Sequence, residues 1–128
     1  MIIHYRLGDL FEESIEKQPT SMQDIVKLLT NFEPKEISEA IVLSDSLKKT
    51  EVLFKNQGFQ KNNFLNVSPI ETIIIGLNSK VFVGTTSKLT IWIAIFRYYF
   101  GAKPTFLPNV LKEVISRNLP NLRNINFY

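Results

Sequence analysis

Short apolar runs alternate with longer stretches of helical character along this chain, and this alternation limits the possible folds more than any other feature. Each run ends next to residues that favour turns, so the runs read as short strands. They occupy residues 2–6, 40–43, 64–67, 81–83 and 104–108. Strands that alternate with helices favour a parallel sheet with right-handed crossovers. We therefore predict an α/β fold with a Rossmann-like parallel sheet and helices on both faces.

The stretches between the runs carry helix-start and helix-stop signals. Ser21 precedes the first helix as its cap, and Pro69 follows Ser68 in the favoured order for a helix start. Further helices are predicted at residues 47–57, 69–78, 86–100 and 110–116. Residues 119–128 show no clear pattern and are left unassigned, so the predicted domain covers residues 1–118.

The composition limits the number of domains and the kinds of site and partner that are expected. The chain has 128 residues, of which 45% are hydrophobic, and this suits one domain with a substantial core. It has no cysteine and one histidine, so no metal site is predicted, and the missing cysteines fit a reducing compartment. The net charge of +3 is spread along the chain rather than gathered in a run, so no nucleic-acid partner is expected.

The longest apolar run, residues 89–100, is shorter than the ~20 residues that span a bilayer. It also carries Thr90 and Arg97, so it is predicted to be a core helix and not a transmembrane segment. The residues after Met1 show no signal-peptide pattern. A cytoplasmic protein is therefore expected, with peripheral membrane association left open.

The junction after residues 81–83 resembles an anion site. It consists of a glycine and three hydroxyl residues, Gly84, Thr85, Thr86 and Ser87, and it leads into a predicted helix. Backbone N–H groups at a helix start lack intrahelical partners, and the helix dipole adds positive potential there. Phosphate suits that environment. The alternative is that Thr85 or Thr86 only caps the helix.

Polar residues also follow two other strands. His4 and Arg6 are two positions apart, so on a strand they share a face, and Asp9 follows the strand end. Asp45 lies just after residues 40–43. The alternatives are a solvated edge strand for His4 and Arg6, and a helix cap for Asp45. Because parallel sheets bind ligands at the carboxyl ends of their strands, these positions together indicate a phosphate-containing ligand.

Two motifs resemble one known family. Residues 4–9, His-Tyr-Arg-Leu-Gly-Asp, resemble the H-x-R-x-G-D motif of the fucosyltransferase superfamily, the α1,2-, α1,6- and protein O-fucosyltransferases that use GDP-fucose. Residues 83–92 resemble the later strand-to-helix motif of that family, and residues 41–46 resemble its segment in which a strand ends in Ser-Asp. The similarity covers most of residues 1–118.

The resemblance implies the C-terminal, donor-binding half of a GT-B glycosyltransferase that inverts configuration without a metal. Arg6 matches the catalytic arginine that contacts the diphosphate, and His4 matches a histidine near the nucleotide. Asp9 matches a residue that holds the motif together. Asp45 and residues 84–87 complete the donor-binding set. The substrate would be a nucleotide sugar, GDP-linked, and no further cofactor is implied.

Enzymes of this family have two domains, and the acceptor is bound mainly by the N-terminal one. The resemblance therefore implies a glycan acceptor and a separate N-terminal domain or subunit. A different class of function remains open. The apolar residues 89–100 also suit a noncatalytic α/β regulatory or protein-interaction module, if part of that helix is exposed.

Overall fold

The computed structural model describes residues 1–7, 20–101 and 103–128. Its centre is a six-stranded sheet in which every neighbouring pair is parallel. The strands are β1 (Ile2–His4), β2 (Ile41–Leu43), β3 (Asn63–Leu65), β4 (Phe82–Gly84), β5 (Thr105–Leu107) and β6 (Ile125–Phe127). Their spatial order, β3-β2-β1-β4-β5-β6, is that of a doubly wound sheet. The predicted α/β class and parallel sheet are confirmed.

Six α-helices are described, and they cover both faces of the sheet. They are α1 (Met22–Leu29), α2 (Pro34–Ser38), α3 (Leu47–Asn56), α4 (Pro69–Asn78), α5 (Lys88–Phe100) and α6 (Lys112–Asn118), with a short 3-10 helix at Asn109–Leu111. Ile2 and Ile3 are consecutive on β1, so their side chains point to opposite faces. Ile3 packs in a cluster with residues of α1 and α3, whereas Ile2 packs in a cluster with residues of α4 and α5. A further cluster joins α5 and α6 to β5.

Several helix starts follow from the capping residues in the sequence. The Ser21 hydroxyl accepts a hydrogen bond from the backbone N–H of Gln23. Ser68 and Glu71 form a reciprocal capping box at the start of α4, and Pro69 occupies the first helical position. None of the described helices is long and apolar enough to cross a membrane.

Apart from shifts of one or two residues at the ends of other elements, the structure differs from the predicted elements in three places. The first strand ends at His4 rather than at residue 6. The segment Pro34–Ser38 forms α2, which is not among the predicted helices. The unassigned residues 119–128 contain β6, which pairs with β5 and places the end of the chain in the sheet. The backbone N–H of Tyr128 extends this pairing, since it donates to the carbonyl oxygen of Leu107 at 2.9 Å.

Arg97 is buried on the α5 face of the sheet. Its guanidinium donates to the carbonyl oxygens of Gly76 and Ser79, which lie at the end of α4. It also donates to the carbonyl oxygen of Pro104 and the hydroxyl of Thr105, each at 2.9 Å. Burial lowers the pKa of Arg97 to about 10, so the side chain is still charged at neutral pH. One side chain therefore joins α4, α5 and the start of β5.

Candidate functional site

The predicted site residues that the structure describes lie at the carboxyl edge of the sheet, around the junction of β1 and β4. These two strands are neighbours. β1 leads toward α1 on one face, and β4 leads into α5 on the other, so the chain changes face between them. Such a switch point opens a crevice at the carboxyl ends of the strands. The residues that follow β1, β2 and β4 therefore share one end of the molecule.

Arg6 connects the segments that follow these strands. Its backbone N–H donates to the hydroxyl of Thr85 at 2.9 Å. Its side chain forms an ion pair with Asp45, with 2.9 Å between Nε and Oδ2. The other carboxylate oxygen of Asp45 accepts the backbone N–H of Leu7 at 3.0 Å. Arg6 and Asp45, predicted separately, are thus in direct contact, and about a third of each side chain is exposed (37% and 32%).

Asp45 holds the residues after β1 and is not the cap of α3. The N-cap position of α3 belongs to Ser46, and Ser46 makes no side-chain cap hydrogen bond. The alternative role of Asp45 as a helix cap is therefore wrong. A carboxylate that receives a guanidinium on one oxygen and a backbone N–H on the other fixes both the arginine and the backbone beside it.

Thr85 is fully buried and joins β1 to β4. Its hydroxyl donates to the carbonyl oxygen of His4 at 3.1 Å and accepts the N–H of Arg6. Its backbone N–H donates to the same His4 carbonyl at 3.1 Å. The hydroxyl and N–H groups of Thr85, which were expected to face phosphate, are thus used inside the protein. Thr85 therefore joins the two strands at this edge.

Thr86 and Ser87 lie at the start of α5 and are partly exposed. The hydroxyl of Thr20 accepts the backbone N–H of Thr86 at 2.9 Å and lies 3.1 Å from the Thr86 hydroxyl. Ser87 is the N-cap of α5, because its Oγ accepts the N–H of Thr90 at 3.0 Å. The alternative that Thr85 or Thr86 caps this helix is therefore wrong. Thr20 was not among the predicted site residues, since nothing in the sequence marks it as a partner of Thr86.

His4 is buried and does not extend toward solvent. Its Nδ1 lies 2.9 Å from the hydroxyl of Thr90 on α5. Burial lowers the pKa of His4 to about 4, with Arg6 lowering it further and Asp45 opposing the shift, so the ring is neutral at pH 7. The alternative of a solvated edge strand is wrong, because β1 lies between β2 and β4. The predicted contact of His4 with a nucleotide stays a prediction.

Gly84 ends β4 in a position that admits no larger residue without movement. A Cβ atom there would lie 2.3 Å from Cγ2 of Thr90 and 2.9 Å from the ring of Phe82. The carbonyl oxygen of Gly84 accepts the hydroxyl of Tyr128 at 2.9 Å, so the chain end also supports this turn. Burial raises the pKa of Tyr128. The glycine allows β4 and the start of α5 to approach closely.

Two of the expectations for this site are limited by what the structure describes. Asp9 lies outside the described residues, so its expected role in holding the first motif stays a prediction. Among residues 1–7, 20–101 and 103–128, no group of three or more histidine and acidic side chains is placed to hold a metal ion. The described part of the edge thus offers a guanidinium, a carboxylate, hydroxyl groups and a helix start.

Comparison of the chain with protein-family models, with curated proteins and with solved structures found no match. The chemistry of the carboxyl edge is therefore inferred from the side chains at that edge. Arg6 is held by Asp45 at the end of β1, and the start of α5 lies at the end of the neighbouring strand. Positive charge and helix-start N–H groups at one crevice suit an anionic ligand.

Proposed function

We propose that this chain is the donor-binding domain of an inverting, metal-independent glycosyltransferase, similar to the fucosyltransferases and equivalent to the C-terminal half of a GT-B enzyme. Its donor would be a nucleotide diphosphate sugar, GDP-linked. One observation supports this most directly: Arg6 and the start of α5 lie on the two sides of the junction between β1 and β4. The diphosphate would lie across that junction.

Arg6 would act on the diphosphate as both anchor and catalyst. In an inverting transfer, an acceptor hydroxyl attacks the anomeric carbon and releases its proton to solvent, while the bond from that carbon to the diphosphate oxygen breaks. Negative charge then grows on the leaving diphosphate, and a fixed guanidinium stabilises it. The ion pair of Nε with Asp45 fixes the orientation of Arg6 before the donor arrives. Asp45 is thus a positioning residue in this proposal.

The start of α5 would supply the second contact with the donor. Hydrogen bonds within the protein fix the position of this helix start: Ser87 accepts the N–H of Thr90, and Thr86 donates its N–H to Thr20. The helix dipole adds roughly half a positive charge at this end. Lys88, exposed at the first position of the helix, adds a full charge nearby. The glycan acceptor would be bound by a separate N-terminal domain or subunit.

Isothermal titration calorimetry with GDP and UDP tests this proposal. We expect GDP to bind, and we expect Arg6→Ala to reduce the binding free energy by about 1.5–3 kcal/mol through loss of a charge-assisted contact. Arg117→Ala is the matched control, because Arg117 is an exposed arginine paired with Glu113 on α6. The proposal is contradicted if neither GDP nor UDP binds. It is also contradicted if Arg6→Ala and the unmodified chain bind GDP with equal affinity.

A second candidate is a noncatalytic protein-interaction module. The observation that favours it is the exposure of Trp92, Tyr99 and Phe100 on α5, a helix that would otherwise be expected to bury its aromatic residues. This candidate predicts no heat of binding with GDP or UDP. The same calorimetry therefore separates the two functions.

A further inference from the structure

The helices α4 and α5 share an exposed apolar surface. We call it the α4–α5 surface and define it by five side chains that are more than half exposed: Ile70, Ile74, Trp92, Tyr99 and Phe100. Phe100 is 79% exposed, and Ile70 is 71% exposed. Large apolar side chains at this exposure are costly in water, because each loses the gain of burial. Their grouping on two adjacent helices is typical of an interaction surface.

The half-buried Phe96 links two aromatic side chains of this surface, Trp92 and Phe100, into one row. Trp92, Phe96 and Phe100 follow one another at spacings of four residues, so they lie on one side of α5. Their ring centroids are 5.8 Å and 6.4 Å apart, and the first two rings are stacked. Ile70 and Ile74 form a second row at the same spacing on α4. The two helices approach closely, since a Cβ on Gly76 would lie 2.9 Å from Cγ2 of Ile93.

The α4–α5 surface carries almost no charge. Between Leu89 and Phe100 the only charged residue is Arg97, and its guanidinium is buried against Gly76 and Ser79. On α4 the only charged residue is Glu71, and its carboxylate caps the helix start at Ser68. A strongly charged partner would gain little from such a surface. Two copies of it, in contrast, can meet without repulsion between like charges.

The exposed apolar area suits the centre of a dimer interface. An aromatic side chain buries about 150–250 Å² when fully covered, so the exposed parts of Trp92, Tyr99 and Phe100 amount to roughly 400 Å². Ile70 and Ile74 bring the apolar area to roughly 600 Å². A stable interface takes about 800 Å² from each partner, with an apolar centre and a polar rim. The surface thus supplies the centre, and polar neighbours can supply the rim.

We propose that two copies of this chain associate through the α4–α5 surface as a twofold-symmetric dimer. In such a dimer the same surface is used by both copies. The surface lies on the outer side of the helices on one face of the sheet. It includes none of the site residues at the carboxyl edge. The proposal therefore does not depend on the donor-binding function proposed above.

The single tryptophan of the chain provides a direct probe, because it lies in the proposed interface. On raising the concentration of the full chain, we expect sedimentation velocity to show a monomer–dimer equilibrium. The Trp92 emission should move to shorter wavelength along the same concentration curve. Phe100→Glu and Ile74→Glu should each raise the dimer Kd by about 30-fold or more, as for residues at the centre of an interface.

Val110→Glu is the matched control, because Val110 is 70% exposed and lies in the 3-10 helix outside the α4–α5 surface. It should leave the dimer Kd unchanged, and circular dichroism will verify that all three variants are folded. A chain that stays monomeric at several hundred micromolar would overturn the proposal. An equal effect of Val110→Glu would overturn it too. So would a monomer whose Trp92 emission shifts only with lipid vesicles, since the occupant would then be a membrane surface.

Discussion

Arg97 and Arg6 lie at opposite ends of the sheet, and they differ in exposure and in the groups that they contact. Arg97 is 2% exposed, near the amino ends of β4 and β5, and its guanidinium donates to backbone carbonyl and hydroxyl oxygens. The side chain of Arg6 is 37% exposed at the carboxyl end of β1, and it pairs with the carboxylate of Asp45. One arginine is buried among backbone and hydroxyl oxygens, and the other is partly exposed beside a carboxylate.

The two arginines show that position relative to strand direction decides what an arginine does in this fold. Arg97 meets carbonyl oxygens at the end of α4, where the helix dipole is negative, so its charge is stabilised without a carboxylate among its described hydrogen-bond partners. Arg6 lies at the edge where helices start, and the positive ends of helix dipoles favour negative charge there. Substitutions at each end of the sheet, together with changes of pH, can test this difference.

Replacement of Arg97 should have the largest effect. Arg97→Met keeps most of the side-chain volume but removes every hydrogen bond of the guanidinium to Gly76, Ser79, Pro104 and Thr105. The carbonyl oxygens of Gly76 and Pro104 keep other donors, the hydroxyl of Ser79 and the N–H of Phe82. Because hydrogen bonds of a charged donor contribute about 1.5–3 kcal/mol each, we expect a loss of at least about 3 kcal/mol in the free energy of unfolding. Urea unfolding monitored by circular dichroism measures it.

Arg6→Met is the control for Arg97→Met, and it should cost less than about 1 kcal/mol, since a partly exposed ion pair contributes little. Equal losses for the two variants would show that the arginines do not differ as described.

Acidification should destabilise the protein through His4. Its pKa is about 4 in the folded chain, below the 6.5 of an unperturbed histidine, so the unfolded state binds the proton more readily. Above pH 6.5 the neutral ring causes no loss of stability. As the pH falls toward 4, the free energy of unfolding decreases by about 3 kcal/mol in all. Because the chain has one histidine, a proton NMR titration measures this pKa without ambiguity.

His4→Gln should flatten the dependence of the urea midpoint on pH between about 6.5 and about 4.5, relative to the unmodified chain. A histidine that titrates near 6.5 in the folded protein would show that the ring is not buried beside Thr90.

Gly84→Ala should destabilise the protein by about 2 kcal/mol. The added Cβ would meet Cγ2 of Thr90 and the ring of Phe82, so the start of α5 must move or the side chains must leave their preferred rotamers. Thermal unfolding measures the change. Gly101→Ala is the control, because the nearest atom to its Cβ would be the Lys103 side chain at 3.9 Å. Equal losses of thermal stability for the two variants would contradict close packing at Gly84.

Asp45→Asn should change stability least, by less than about 1 kcal/mol, because the amide oxygen can still accept the N–H of Leu7. Its effect on ligand binding should be larger, since Arg6 loses its ionic partner. Calorimetry with GDP, run beside urea unfolding, measures both quantities. If Arg6 is positioned by other groups alone, GDP affinity will not change.

The amino-acid sequence predicted the elements with strong local signals. The apolar runs before Ser44 and Gly84 became β2 and β4, and the Ser-Pro-x-Glu pattern at Ser68 became the capping box of α4. The weaker run at residues 64–67 became β3 only in part, since that strand covers Asn63–Leu65. The sequence did not predict β6 or α2. Each is short, and β6 has only one buried residue, Ile125, so neither carries a periodic pattern of its own. Pairing with the open edge of β5 is what makes residues 125–127 a strand.

Local periodicity and capping were enough to establish the α/β class and the polar residues at the strand ends. Which of those residues face inward depended on tertiary packing. His4 and Thr85 are buried because β1 and β4 lie side by side at the centre of the sheet, under helices on both faces. Asp45 meets Arg6 and Leu7 because parallel strands end at one edge. Leu7 and Asp45 are 38 positions apart in the chain. Contacts between residues so distant in sequence arise from strand order, which no local pattern encodes.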